Sequence, residues 1–128
     1  MDLPFYLPEG DFTTKKGEVK FWAHVDQNIH LKKGSPNSWQ GILYVSDSCG
    51  DNSATVVLPQ SHKKIYDEIV SDPAADLKNA KRGGGHGIEI LKLEPILRDK
   101  MIGLWMKHSR RIQVPAGALL LYNSKLTH

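Results

Sequence analysis

The chain has 128 residues, 40% of them hydrophobic and 24% charged, with a formal net charge of +3, which predicts one domain able to bury a substantial core. Its basic residues fall in scattered pairs (Lys15-Lys16, Lys32-Lys33, Lys63-Lys64, Arg110-Arg111) and form no stripe, which argues against a nucleic-acid partner. No apolar run approaches the ~20 residues of a membrane span, Pro4, Pro8, Glu9 and Asp11 interrupt any signal-peptide pattern, and the single Cys49 forbids an intrachain disulfide and fits a reducing, intracellular and cytoplasmic setting.

Residues 1–17 are rich in Pro, Gly and charge and read as an extended lead-in. Residues 18–27 alternate and predict a strand. Lys32-Lys33, Gly34 and Pro36 mark a loop over 29–37. "SWQGILYVSDS" (38–48) predicts a second strand, "CGDNS" (49–53) a turn, and "ATVVLP" (54–59) a third strand stopped by Pro59. Ile65 and Ile69, four apart, predict a helix over about 63–70. Asp72-Pro73 reads as an N-cap followed by proline at the first helical position, opening a short helix to about Lys81. Gly83-Gly84-Gly85 ends it, and "GIEILKLE" (87–94) alternates as a strand. "RIQV" (111–114) and "ALLLYN" (118–123) are strands joined by Pro115-Ala116-Gly117. Many short strands with few helices predict a sandwich or jelly roll.

Within "FWAHVDQN" (21–28), strand periodicity puts Trp22, His24 and Asp26 on one face and Phe21, Ala23 and Val25 on the other. A His and a carboxylate two apart on one strand face can lean onto a single metal ion. A second His from elsewhere would complete a two-His, one-carboxylate face with open positions, the donor set of non-haem Fe(II) oxygen chemistry. The spacing alone is weak. Six His residues among 14 acidic residues in 128 positions give about 0.7 such pairs by chance.

Further motifs follow in order: Trp39 in the next strand, "TVVLPQSH" (55–62) and "IQVPAGALLLYNSKLTH" (112–128). With "HVDQN" they make the chain resemble the phytanoyl-CoA dioxygenase family of Fe(II)- and 2-oxoglutarate-dependent oxygenases, over residues 18–62 and 111–128. Residues 63–110 correspond only to a helix-bearing insertion. The resemblance implies a mainly-β double-stranded β-helix (jelly roll, cupin-like) with one or two short helices in the insertion. It implies one domain over 1–128 that is C-terminally incomplete and lacks its last strand. It implies Fe(II) held by His24, Asp26 and His128, and 2-oxoglutarate as cosubstrate in a pocket lined by Gln27 and Trp39. The activity it implies is hydroxylation of a small-molecule C–H bond with O2, coupled to decarboxylation of 2-oxoglutarate to succinate. Asp26 favours hydroxylation, since related halogenases carry a small residue at that place.

The chain departs from the family pattern at three points. Gln60 stands where the turn usually has Gly, and Ala118 follows Gly117 where Asp is usual. The strand that carries an Arg for the far carboxylate of 2-oxoglutarate does not follow His128, so slow or no turnover of 2-oxoglutarate is expected, with Lys20 or Lys125 as substitute cations. The rival reading is a non-catalytic jelly-roll module, either a ligand binder or a degenerate oxygenase relative. "RGGGHG" (82–87) matches no phosphate-loop spacing and reads as a loop. His62 reads as a structural hydrogen-bonding residue, and His30, His86 and His108 as solvated.

Overall fold

The structure is a computed structural model that describes residues 23–27, 38–48, 54–75 and 87–128. Lys20, Trp22, His30, Cys49 and His86, the expected loop at 29–37, the expected turn at 49–53, the stretch of the expected short helix from 76 to about Lys81 and the glycine-rich run that ends it lie outside the described residues. Six short strands are described: β1 (His24–Val25), β2 (Trp39–Leu43), β3 (Val56–Val57), β4 (Ile88–Glu89), β5 (Arg110–Arg111) and β6 (Leu119–Asn123). Two helices accompany them, α1 (Lys64–Val70) and α2 (Pro95–His108).

All strand pairing is antiparallel, and early strands pair with late ones: β1 with β4, β2 with β6, β3 with β5. The last two pairs belong to one ribbon. From Trp39↔Asn123 to the bridge Ser48↔Val114 the two runs step together residue for residue. Tyr44 and Ala118 continue the ladder between them, the Tyr44 N–H donating to the Ala118 carbonyl at 3.0 Å. By Val56↔Arg111 the first run has advanced eight residues and the second three, a difference equal to the five residues of the expected turn at 49–53.

A second layer forms around β1. Successive residues of an extended strand offer their N–H and C=O groups to opposite edges. Ala23 and Val25 therefore face β4, with the Ile90 N–H donating to the Ala23 carbonyl at 3.0 Å. His24 faces the other way and exchanges both backbone bonds with His128, at 2.9 and 3.0 Å. Beyond that C-terminal segment lies the end of β3, where the Leu58 N–H donates to the Thr127 carbonyl at 2.9 Å. The run 124–128 is thus backbone-bonded on both edges.

The core lies on one face of this layer. Ala23, Val25, Leu58, Ile88 and Ile90 pack with Tyr66 and Ile69 of α1 and Met101 of α2. Burying a Val, Leu, Ile or Met side chain in such a core contributes about 1.5–3 kcal/mol. Asp72 connects the helical parts. Its carboxylate accepts from the Ala74 and Ala75 N–H groups (2.8 and 3.3 Å), capping the helical turn at 73–75 as the Asp72-Pro73 dipeptide predicts. It also accepts from the N–H of Glu94, the residue that caps α2 (3.1 Å).

Two local expectations change. The alternation over 87–94 yields a strand only at Ile88–Glu89. Ile90–Lys92 turn into a 3₁₀ segment that buries Ile90 and leads to Glu94 and α2. The fourteen-residue α2 was not foreseen. Its apolar residues lie all round it, with Ile96 and Met106 exposed while Met101 is buried, so they give no one-sided stripe. Pro95 at its first turn was the available signal. In the turn after β3, Gln60 takes a left-handed backbone conformation (φ 63°), which an L side chain disfavours. That is the position where the related pattern has Gly.

Candidate metal centre

β1 puts Ala23 and Val25 into the core, so His24 and Asp26 emerge on the opposite face. The two-way backbone pair brings His128 alongside His24. Hydrogen-bonded partners on antiparallel strands present their side chains on the same side, and the imidazole rings lie 4.4 Å apart. Three donor atoms converge, one each from His24, Asp26 and His128, all within 4.8 Å of one another. Among the described residues this is the one cluster of His, Cys, Asp or Glu able to hold an ion. The expected trio is therefore brought together from positions more than a hundred residues apart.

The separations suit a shared ion. His24 Nε2 lies 3.3 Å from Asp26 Oδ1, and His128 Nε2 lies 3.2 Å from Asp26 Oδ2. Two ligand atoms ~2.1 Å from one ion stand roughly 3.0–3.4 Å apart at angles of about 90–109°. His128 is also oriented from behind. Its Nδ1 lies 3.0 Å from the Leu126 carbonyl, which can only accept, so Nδ1 carries the proton. In the neutral ring Nε2 then presents a lone pair toward the Asp26 carboxylate. Two acceptors at 3.2 Å need a cation between them, either a proton or a metal ion. Burial pushes the Asp26 carboxyl upward, but hydrogen bonds from His128 and His24, and their charges, outweigh it and hold it well below the usual carboxylate range.

Gln27 and Trp39 are placed differently. Gln27 is buried, and its Oε1 accepts from the hydroxyls of Ser124 (3.2 Å) and Ser38 (3.4 Å). Its carbonyl accepts from the Tyr66 hydroxyl at 3.1 Å, so helix α1 fixes the end of β1 just past the ligands. Gln27 thus ties β1 to the start of β2 and to the C-terminal segment. Trp39 pairs with Asn123 and is 66% exposed. Its strand neighbour Gln40 pairs with Tyr122, whose ring reaches His128. Alternation therefore turns Trp39 to the other face of the β2–β6 pair, and the structure does not bring it to the trio. Lys125 places its ammonium 5.3 Å from the Tyr66 ring centroid.

The sequence reading missed Tyr122. It is buried on β6, its ring is 4.8 Å from the His128 ring, and its hydroxyl lies 3.4 Å from His128 Nε2. Burial first, then the charge of Asp26 and the neighbouring Tyr44, raise its hydroxyl above the ordinary tyrosine value, so it stays protonated. A phenol following three leucines, six residues before His128, was the signal available.

Gly87 completes the surroundings. A Cβ there would fall 2.5 Å from the Val25 carbonyl oxygen and 3.1 Å from Asp26 Cα. The chain passes so close to the ligand strand that only glycine fits.

No protein-family model matches the chain, and no curated protein or solved structure matches it either.

Proposed function

We propose that the chain forms the metal-binding core of an Fe(II)- and 2-oxoglutarate-dependent oxygenase of the phytanoyl-CoA dioxygenase kind, hydroxylating a C–H bond of a small molecule. The observation that carries this reading is the convergence of His24, Asp26 and His128 on one point, with the Leu126 carbonyl holding the His128 proton on Nδ1 and Nε2 turned toward Asp26. Two imidazoles and one carboxylate suit a divalent first-row metal and leave further positions open. The ribbon of early strands paired with late strands, with β1 enclosed between β4 and the C-terminal segment, supports a rolled antiparallel architecture of the jelly-roll kind.

In this reading the ion, when bound, supplies O2 activation and two positions for an α-oxoacid. The chain's own residues do the rest. The His24–His128 backbone pair fixes the angle between the imidazoles. Asp26 stays ionised and supplies the negative charge. Tyr66 and Gln27 hold the end of the ligand strand. No helix among the described residues is long and apolar enough to cross a membrane.

The test is anaerobic titration of Fe(II) or Mn(II) into the wild-type chain and into His24→Ala, with succinate release from 2-oxoglutarate as a second readout. Loss of an orienting partner alone costs about 10–100-fold in metal affinity, so loss of His24 is expected to cost at least about 100-fold. Equal affinities in the two chains overturn the proposal.

A further inference from the structure

The β2–β6 pair has two unlike faces. Alternation and register put Trp39, Gly41 and Leu43 on one face together with Leu119, Leu121 and Asn123. This face is turned away from Tyr122 and His128. Trp39, Leu43, Leu119 and Leu121 are 57–66% exposed on it, and Val45, just past β2, is 80% exposed. An antiparallel sheet that meets water on one side usually turns its polar residues outward. Here the order is reversed, since Gln40 and Tyr122 stand on the inner face and the outer face is almost wholly apolar. No Lys, Arg, His, Asp or Glu occurs over 39–46 or 114–124. At on the order of 100 Å² for each of its large side chains, the patch comes to roughly 500 Å². Exposed apolar surface of that extent marks a site of association.

We propose that this face packs, sheet on sheet, against the same face of a second copy of the chain about a two-fold axis. The charge pattern favours a like partner: a surface with no ionisable group offers nothing to an acidic or basic ligand, and the centre of a protein interface is depleted of charge and enriched in aromatic residues. The area agrees. Two facing copies remove roughly 1,000 Å² from water, the extent at which specific interfaces begin. The shape agrees as well. Gly41 carries no side chain, and the ends of Leu121 and Leu119 lean across to 3.1 and 3.2 Å from where its Cβ would stand, so the middle of the face is level. Trp39 and Leu43 stand four residues apart on one strand, on either side of that row. A two-fold axis running across the strands at the Gly41–Leu121 row lays Trp39 of each copy over Leu43 of the other and sets the two Leu121 side chains together, which makes the contact isologous and closed. The surface lies on the far side of the ribbon from the trio, so the proposal stands independently of the metal reading.

The experiment is sedimentation velocity on the full chain, from well below to well above micromolar concentration, with Leu121→Lys and Leu121→Glu beside the wild type. The wild type is expected to pass from monomer to dimer with a dissociation constant on the order of micromolar, as suits an interface at the small end of the range. Each variant alone is expected to weaken the dimer by more than about a hundredfold, because like charges meet at its centre. An equimolar mixture of the two variants is expected to regain the dimer, since Lys then faces Glu. Leu121 is 59% exposed in the single copy, so both variants are expected to keep the far-ultraviolet circular dichroism of the monomer. A readout that needs no variant is acrylamide quenching of tryptophan fluorescence, which is expected to fall as the wild-type concentration rises through the transition and Trp39 is covered. A wild type that stays monomeric throughout overturns the proposal, whether the face is bare or covered by residues 1–22. A dimer that persists in both variants places the contact elsewhere, such as the outer edge of β2, and also overturns it. Open-ended assembly, or a mixture of variants that stays monomeric, overturns the closed two-fold contact.

Discussion

Gly87 and Gly41 both stand where two antiparallel runs meet, yet their surroundings differ in kind. A side chain at Gly87 meets the backbone of Val25 and Asp26. One at Gly41 meets the ends of Leu121 and Leu119, at 3.1 and 3.2 Å, on a face where Leu43, Leu119 and Leu121 are all more than half exposed. Beside the ligand strand, the atoms that a side chain at Gly87 would meet are fixed backbone. On the outer face of β2–β6 the neighbours are side chains with room to turn. The difference teaches that precision in this molecule is local: it gathers where the ligands are held.

The largest effect is expected from Gly87→Ala. With 2.5 Å between the new Cβ and the Val25 oxygen, β1 and β4 must part. Stability is expected to fall by about 1–3 kcal/mol by chemical denaturation, in the range of overpacking, and metal affinity is expected to fall with it because β1 carries His24. An unchanged midpoint and unchanged affinity would show that the ligand strand is looser than its packing implies.

How much of this contrast the sequence discloses depends on the residue. The alternation at 38–48 and 118–123 predicts β2 and β6, because period-2 patterning survives even on an exposed sheet. His24 and Asp26 are legible as a pair on one strand face, but that spacing is weak until the later motifs of the resemblance are set beside it. His128 is not legible that way: its partnership with His24 is a backbone pairing across the length of the chain, and only the family resemblance proposed it. Tyr122 and Gly87 were missed for the same reason. Their meaning lies in what stands opposite them, and register between distant segments has no short-range signature. Helix α2 was hidden because its apolar residues face several ways.

A second, intermediate effect concerns acid. Asp26 in the folded chain lies below its ordinary value of 3.8. A carboxyl depressed by folding contributes its stability in full above the unfolded value and loses it as pH falls toward the folded one. The metal-free chain is therefore expected to lose stability below about pH 4, and Asp26→Asn to show a flatter acid limb in thermal melts between pH 5 and 2. Parallel limbs would mean that other carboxylates dominate acid unfolding.

The smallest effect, and the control for the first, is Gly41→Ala. The two leucines can turn aside, so a change within about 0.5 kcal/mol is expected, as for ordinary surface substitutions. A loss comparable to that at Gly87 would mean that the outer face is as tightly set as the centre.

The pairing of His24 with His128 also has a kinetic side. The two residues close a loop of about a hundred residues, so the trio is complete only when the longest-range backbone pairing among the described residues has formed. Contacts of such long range are slow to form, because their entropy must be lost before any bond rewards it. An ion held there, as proposed above, would act as a reversible clasp between β1 and the C-terminal segment. By binding the finished fold and not the open chain, it would draw the folding equilibrium toward completion by mass action. Metal uptake would then report that the pairing of His24 with His128 has formed.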